Sequence, residues 1–432
     1  MIIKNGYIID PSNKKEGVFD ILIEGSKIKE VSKSIKAKDK EIIDAKKKII
    51  IPGLIDMHVH LREPGREDIE TVKSGTGAAI SGGITSICSM PNTRLSMDNI
   101  ENLELLKSII KRDAGAFVSI IGAITKGREG KEIVDMKMMK EKGAIALSDD
   151  GNSIQDERVM LDALKKAKEN GLLLISHCED KTISKNGVVN EGIVATKLGL
   201  RGISKKAEYE FVGRDIELAR KTKAKLHIAH VSCKESVDMI RKAKKDGVKV
   251  SAETGPQYFS LRDECCVTYD TRTKMNPPLR SAEDVEAIKK GLTDGTIDAI
   301  ASDHAPHGKH EKEIEFDLAA FGIIGLETSL ALAIMNLVET KRISWMRLVE
   351  LMSANPAKIL GLNHKGNLSP GSDADITIID PEKKWVYTKD SIRSKSKNSP
   401  FIGWQFKGKV TGVIVGGRNS PHLSPLPKGE RR

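Results

Sequence analysis

The chain has little sulfur chemistry to offer: five cysteines in 432 residues, Cys88, Cys178, Cys233, Cys265 and Cys266, none in a CxxC spacing. So sparse and odd a set argues against a disulfide framework, and Cys178 and Cys233 read as small packing residues rather than nucleophiles. No stretch approaches the ~20 apolar residues of a membrane span. The opening MIIKNGYIID lacks the basic-then-apolar layout of a signal peptide, so the expectation is a cytoplasmic protein with no membrane partner. Gly82-Gly83 is followed by neither GxGxxG nor GK[ST], too weak a signal for a phosphate loop. Aromatic residues make up 4% of the chain, and none interleave lysine-rich stretches such as Lys165-Lys166-Ala167-Lys168 and Lys242-Ala243-Lys244-Lys245. The net charge of +11, from 71 basic and 60 acidic residues, therefore reads as a solvated basic surface and not as a nucleic-acid interface. It would favour the approach of an anionic small-molecule substrate.

What the chain does have is length and a regular alternation of patterns. With 39% hydrophobic and 30% charged residues, it has the composition of a soluble globular protein long enough for one large and one small domain. Residues 1–53 read as short strands broken by turns, among them Tyr7-Ile8-Ile9, Asp20 to Ile23, Ile28 to Val31 and Lys48 to Ile51. Residues 365–417 have the same texture, with Ala374 to Asp380, Trp385-Val386-Tyr387 and Val410 to Val415. Both ends are expected to combine in one composite β-sandwich domain. Beyond residue 417, the Pro-rich and basic RNSPHLSPLPKGERR, residues 418–432, reads as a disordered tail.

Residues 54–364 alternate strand and helix. Apolar runs at Leu54–His60, Ile84–Met90, Phe117–Gly122, Ala144–Ser148, Leu172–His177, Lys225–His230, Val248–Glu253 and Ala299–Asp303 are the strand candidates. Helical stretches such as Glu157–Glu169 and Lys206–Thr222 fall between several of them. Eight such units predict an α/β fold, a (β/α)8 TIM-type barrel, with a doubly wound open sheet as the alternative.

A barrel collects its catalytic groups at the C-terminal strand ends. There the sequence places His58 and His60, which share a strand face because they are two residues apart. Asn92, Asp149-Asp150, His177, His230 and Asp303 end other runs at equivalent places. Imidazoles and carboxylates gathered this way suit Zn²⁺ or a similar cation, and a shared carboxylate would allow one or two ions per subunit. Such a centre supplies hydroxide as a nucleophile at neutral pH and polarises a carbonyl, so the chemistry expected is hydrolysis of an amide-like C–N bond or its reverse. Asp303 is the natural proton shuttle between the attacking oxygen and the leaving nitrogen.

The motifs PGLIDMHVHLREPG, GGITSICSMPNT, SDDG, SHCED, HVS, NPPLR and SDHAPH, in that order, resemble the amidohydrolase superfamily and within it the type I dihydroorotases, from Met1 to about Gly417. The resemblance implies that His58, His60, His177 and His230 bind metal and that Asp150 bridges. It implies too that Asp303 touches metal and serves as catalytic acid and base, and that Arg62, Asn92, Asn276 and His307 contact substrate. The implied reaction is the reversible cyclisation of N-carbamoyl-L-aspartate to L-dihydroorotate in pyrimidine biosynthesis. A guanidinium such as Arg62 is the group best shaped to hold a carboxylate by two parallel hydrogen bonds.

Hydantoinases, dihydropyrimidinases and allantoinases share the histidines and final aspartate but bridge their metals with a carbamylated lysine at the end of strand four. Here that run, Gly143 to Asp150, contains no lysine. A third reading is a silent structural partner of aspartate transcarbamoylase, as some relatives are; a homodimer is also open. His227 is expected to face away from His230 into packing, and His304 away from Asp303. His310, His364 and His422 are expected in solvent. Asp149 reads equally as a turn residue, and Gly308 to Asp317 as a charged, mobile edge of the site.

Overall fold

A computed structural model describes residues 1–36 and 40–420. Its centre is a sheet of eight parallel strands: Leu54–Val59, Ile84–Ser89, Phe117–Gly122, Ala144–Ser148, Leu173–Ser176, Leu226–Ile228, Val250–Thr254 and Ala299–Ile300. Each pairs with the next in chain order, and a parallel bridge between Val59 and His304 joins the last to the first. That bridge closes a barrel and removes the open-sheet alternative.

The apolar runs become strands because both their faces are covered, as parallel sheets require. Ile55, Met57, Cys88, Ile121, Ala146, Ile175, Ala229 and Ala301 share one cluster, joined by Ala357 and Leu360 of the helix Asn355–Leu360. Their sequence neighbours Leu54, Ile84, Ile87, Leu147, Leu174 and Ile228 belong to the larger core shared with the surrounding helices. Helices such as Glu157–Glu169 and Lys206–Thr222 supply that outer layer with Met160, Leu164, Val212 and Leu218. Capping residues fix where they begin, for example Ser281 and Asp284 reciprocally at the start of Ala282–Asp294. Among the described residues no helix is long and apolar enough to cross a membrane.

Both termini feed a second, eight-stranded sheet. Ile2–Asp10, Lys15–Glu24, Lys27–Ser32, Ile42–Asp44 and Ile49–Pro52 come from one end, and Ile376–Val386, Gln405–Val415 and Arg418–Asn419 from the other. The seam is the antiparallel pairing of Ile49–Pro52 with Ile376–Ile379. Alternation then divides the side chains. Ile50, Ile376 and Ile378 face a core of their own with Ile3, Ile8 and Ile21, whereas Ile49, Ile51 and Ile379 enter the barrel's core. The small domain is thus welded to the barrel through side chains on the second face of its central strands.

One expectation is corrected here. Arg418 and Asn419 were placed in a disordered tail, yet they pair with Val415 and Ile414 across a turn at Gly416-Gly417. Both glycines take positive φ, 53° and 77°, the conformation a two-residue hairpin turn demands. The remaining tail residues, 421–432, lie outside the described residues, as does His422.

Candidate metal centre

The ends of strands one, four, five, six and eight bring His58, His60, Asp150, His177, His230 and Asp303 to one mouth of the barrel. Two ligand groups form there, His58, His60 and Asp150, and Asp150, His177 and His230, and the Asp150 carboxylate belongs to both. Asp150 Oδ1 lies 3.2 Å from His58 Nε2, and 3.5 Å from His177 Nδ1 and from His230 Nε2. Its Oδ2 lies 3.5 Å from His60 Nε2. The facing nitrogens of His177 and His230 are 2.8 Å apart. Asp303 Oδ1 stands 3.1 Å from His60 Nε2 and 3.5 Å from His58 Nε2.

The outward nitrogens of three imidazoles are anchored. His58 Nδ1 donates to Glu253 Oε1 at 2.8 Å, His60 Nδ1 to Asn92 Oδ1 at 2.7 Å, and His177 Nε2 to Glu179 Oε2 at 3.3 Å. Each bond fixes its ring so that the inward nitrogen faces the other ligand candidates and presents a lone pair once a cation displaces its proton. Deep in this pocket His58 Nε2 and Asp150 Oδ1 are buried without a hydrogen-bond partner. Lone pairs converging on buried, unsatisfied atoms are what a cation would satisfy, so the residues present fit a metal. Arg62, His230 and Asp303 all take left-handed φ, 62°, 33° and 49°, local strain concentrated where the groups converge.

Electrostatics point the same way. Burial alone would raise the Asp150 pKa, but His58, His177 and His230 reverse this and hold the carboxyl well below its usual range. Asp303 shows the same opposition, burial against His58 and His60, and also ends below its usual value. Glu253 is fully buried, yet its bonds to His227 and His58 bring it down to about 2. The mouth therefore carries negative charge on Asp150 and Asp303.

A cavity of about 250 Å³ opens above these groups, lined by Arg62, Asn92, Asn276, His307, Phe321 and Gly322 as well as His60, Asp150, His177, His230 and Asp303. All four substrate-contact candidates thus share its wall. Burial pulls the Arg62 guanidinium down only to about 10, so it stays a cation at neutral pH. Its Nε donates to Pro306 O at 3.2 Å. Asn92 lines the cavity while its carbonyl oxygen holds His60, and Asn276 Nδ2 donates to Glu179 Oε2 at 3.2 Å. Burial and Arg62 push the His307 pKa down to about 3, leaving a neutral ring whose Nε2 donates to Phe321 O at 2.7 Å.

Several partners escape sequence reasoning. His227 was expected in plain packing; it lies inside the barrel, 3.2 Å from Glu253 Oε2 and 2.8 Å from Ser251 Oγ. Glu253 thereby ties His227 to the candidate ligand His58. Its signal was position: it ends a strand run as the histidines do. Asp149 is structural, accepting from the backbone of Ile124 and Thr125 at 2.8 and 3.0 Å, while Asp150 turns inward. His304 reaches away from Asp303 to Glu70, at 3.3 Å. The segment Gly308 to Asp317 contains a helical turn, Lys309–Lys312, whose last residue is buried.

Comparison with known proteins agrees with this geometry. A family model described as dihydro-orotase-like matches residues 47–236. The chain is 55% identical over 416 residues to a dihydroorotase of Elusimicrobium minutum, covering 96% of each chain. It is 50% identical over 419 residues to a dihydroorotase of Geobacter metallireducens, covering 97% of this chain and 98% of the other. Among solved structures, an L-hydantoinase (dihydropyrimidinase) from Arthrobacter aurescens superposes with a TM-score of 0.88 at 26% identity, over 97% of this chain and 95% of that one.

Proposed function

This chain belongs to the dihydroorotase family, and on that premise we propose that it interconverts L-dihydroorotate and N-carbamoyl-L-aspartate. The observation that carries the reading is the placement of Asp303, 3.1 Å from His60 Nε2, in a cavity whose wall also presents the partly buried cation Arg62. One group can move a proton and the other can hold a carboxylate, and both face the same small volume.

His58, His60 and Asp150 would hold one divalent cation, and Asp150, His177 and His230 a second. The mixed nitrogen and oxygen donors suit Zn²⁺. When bound, such ions make water nucleophilic at neutral pH and polarise a carbonyl. The chain's own residues do the rest. Arg62 pairs with the substrate carboxylate, and Asn92, Asn276 and His307 line the walls that orient the ring. In ring opening, the Asp303 carboxylate accepts the proton of the attacking water and returns it to the amide nitrogen as the C–N bond breaks. In cyclisation the same proton runs the other way.

Turnover of L-dihydroorotate, hydantoin and allantoin by the zinc-loaded protein tests the reading. Hydantoin and allantoin carry no carboxylate for Arg62, so the expected result is dihydroorotate turnover alone. Turnover of hydantoin without dihydroorotate would overturn it, and a protein that holds no metal and turns over nothing would favour a structural role.

A further inference from the structure

Lys312 is a buried lysine, 5% exposed, and among the described residues it makes no ion pair. An ammonium buried without a carboxylate is costly unless hydrogen bonds replace its water shell. Here three backbone carbonyls do so: Lys312 Nζ donates to Ala320 O at 2.7 Å, Gly322 O at 3.1 Å and Lys274 O at 3.3 Å. An ammonium has three N–H donors, and each has one acceptor. Burial, with the neighbouring Lys274, pulls the amine down to about 7.

Those carbonyls belong to two adjoining segments that both contribute to the cavity wall. Lys274 stands two residues before Asn276, and Ala320 and Gly322 flank Phe321, whose carbonyl accepts from His307. Gly322 N also donates to Lys274 O, at 3.0 Å, and Asn398 Nδ2 donates to Gly322 O at 3.1 Å, so both segments meet at the ammonium. Lys274 adds a second tie from its own side, with Nζ on Asp317 O at 2.9 Å and 4.5 Å from the Phe321 ring centroid. Gly322 cannot yield: at φ 126° a Cβ there would lie 2.6 Å from that of Ala305 and 3.3 Å from His307 Nε2.

We infer that Lys312 is a positioning residue for substrate binding, a buried clamp that holds the Asn276 segment and the Phe321-Gly322 segment at the separation the substrate ring requires. This rests on the dihydroorotase reading for the identity of the substrate, but not for the clamp itself. Lys312 touches none of the candidate ligands and stands behind the wall without lining the cavity itself, so its removal should loosen binding and spare the chemistry.

Two variants test it, Lys312→Met, which removes all three donors, and Lys312→Gln, which keeps two. In zinc-loaded protein, KM for L-dihydroorotate should rise about tenfold or more in Lys312→Met and less in Lys312→Gln, with kcat within about threefold and zinc content unchanged. Amide hydrogen exchange at residues 274–276 and 320–322 should quicken in both, with the barrel strands as protected as before. Wild-type KM in both folded variants, or exchange at those amides unaltered, overturns the inference; so does a fall in kcat at constant KM. Were the wild-type protein not to turn over dihydroorotate, the functional reading would fall and the clamp would stand or fall on the exchange result alone. If Lys312→Met does not fold, the same outcomes are read from Lys312→Gln.

Discussion

His58 Nδ1 and Glu253 Oε1 lie 2.8 Å apart beneath the barrel mouth, both residues almost wholly buried, and the other oxygen of the same carboxylate lies 3.2 Å from His227. Glu253 thus sets the ring orientation of a candidate metal ligand without reaching the cavity.

Replacing it with its amide should show what that orientation is worth. Glu253→Gln keeps the volume but loses the charge that steadies the His58 tautomer. Zinc affinity, measured by competition with a chromophoric chelator, should fall about 10- to 100-fold. An unchanged affinity would remove Glu253 from the account of the site.

The same residue makes an acid-stability prediction. In chelator-stripped protein, Glu253 has a folded pKa of about 2, because its bonds to His227 and His58 outweigh burial, against an ordinary value of 4.5. A carboxyl with a depressed folded pKa stabilises the fold fully above its unfolded value and loses that contribution as pH falls through the folded one. The window is therefore pH 4.5 down to 2, and the contribution lost across it is about 3 kcal/mol. Urea denaturation of wild type and Glu253→Gln at pH 6 and pH 3 should show a stability gap that narrows at the lower pH.

Arg62 should govern which ring is accepted. Arg62→Met removes the cavity's permanent cation and should lower kcat/KM for L-dihydroorotate about 10²-fold, chiefly through KM, with zinc content preserved. Loss of zinc together with activity would instead make Arg62 a structural residue.

The terminal sheet should matter for stability and not for chemistry. Ile376 is fully buried in the sheet's own core, away from the face that enters the barrel. Ile376→Ala should cost about 2–5 kcal/mol, seen as a lower denaturation midpoint, while kcat at 25 °C stays at the wild-type level.

How far the sequence led differs from one feature to the next. The barrel strands were legible because parallel strands covered on both faces leave continuous apolar runs, and His58, His60, His177, His230 and Asp303 because polar residues stand out where such runs end. The choice of Asp150 over its neighbour came only through family resemblance, since Asp149 is held by backbone bonds that no local pattern announces. Glu253 and Lys312 were missed because partners that define them are distant in sequence: His58 is 195 residues from Glu253, and Lys274 is 38 from Lys312. Glu179 stands only two residues from His177, but its other partner, Asn276, is 97 residues away. Backbone carbonyls, moreover, leave no mark in a sequence at all. Arg418–Asn419 were misread because a Gly-Gly hairpin needs only two residues beyond the turn, fewer than any periodicity can reveal.

The central claim is that the groups at the barrel mouth hydrolyse a cyclic amide with Asp303 carrying the proton. Its most direct test is L-dihydroorotate turnover by wild type and Asp303→Asn, compared at equal zinc content. The account predicts activity in the wild type and a loss of about 10²- to 10⁴-fold in the variant. A wild type that turns over no dihydroorotate, or an Asp303→Asn protein as fast as wild type, would contradict it.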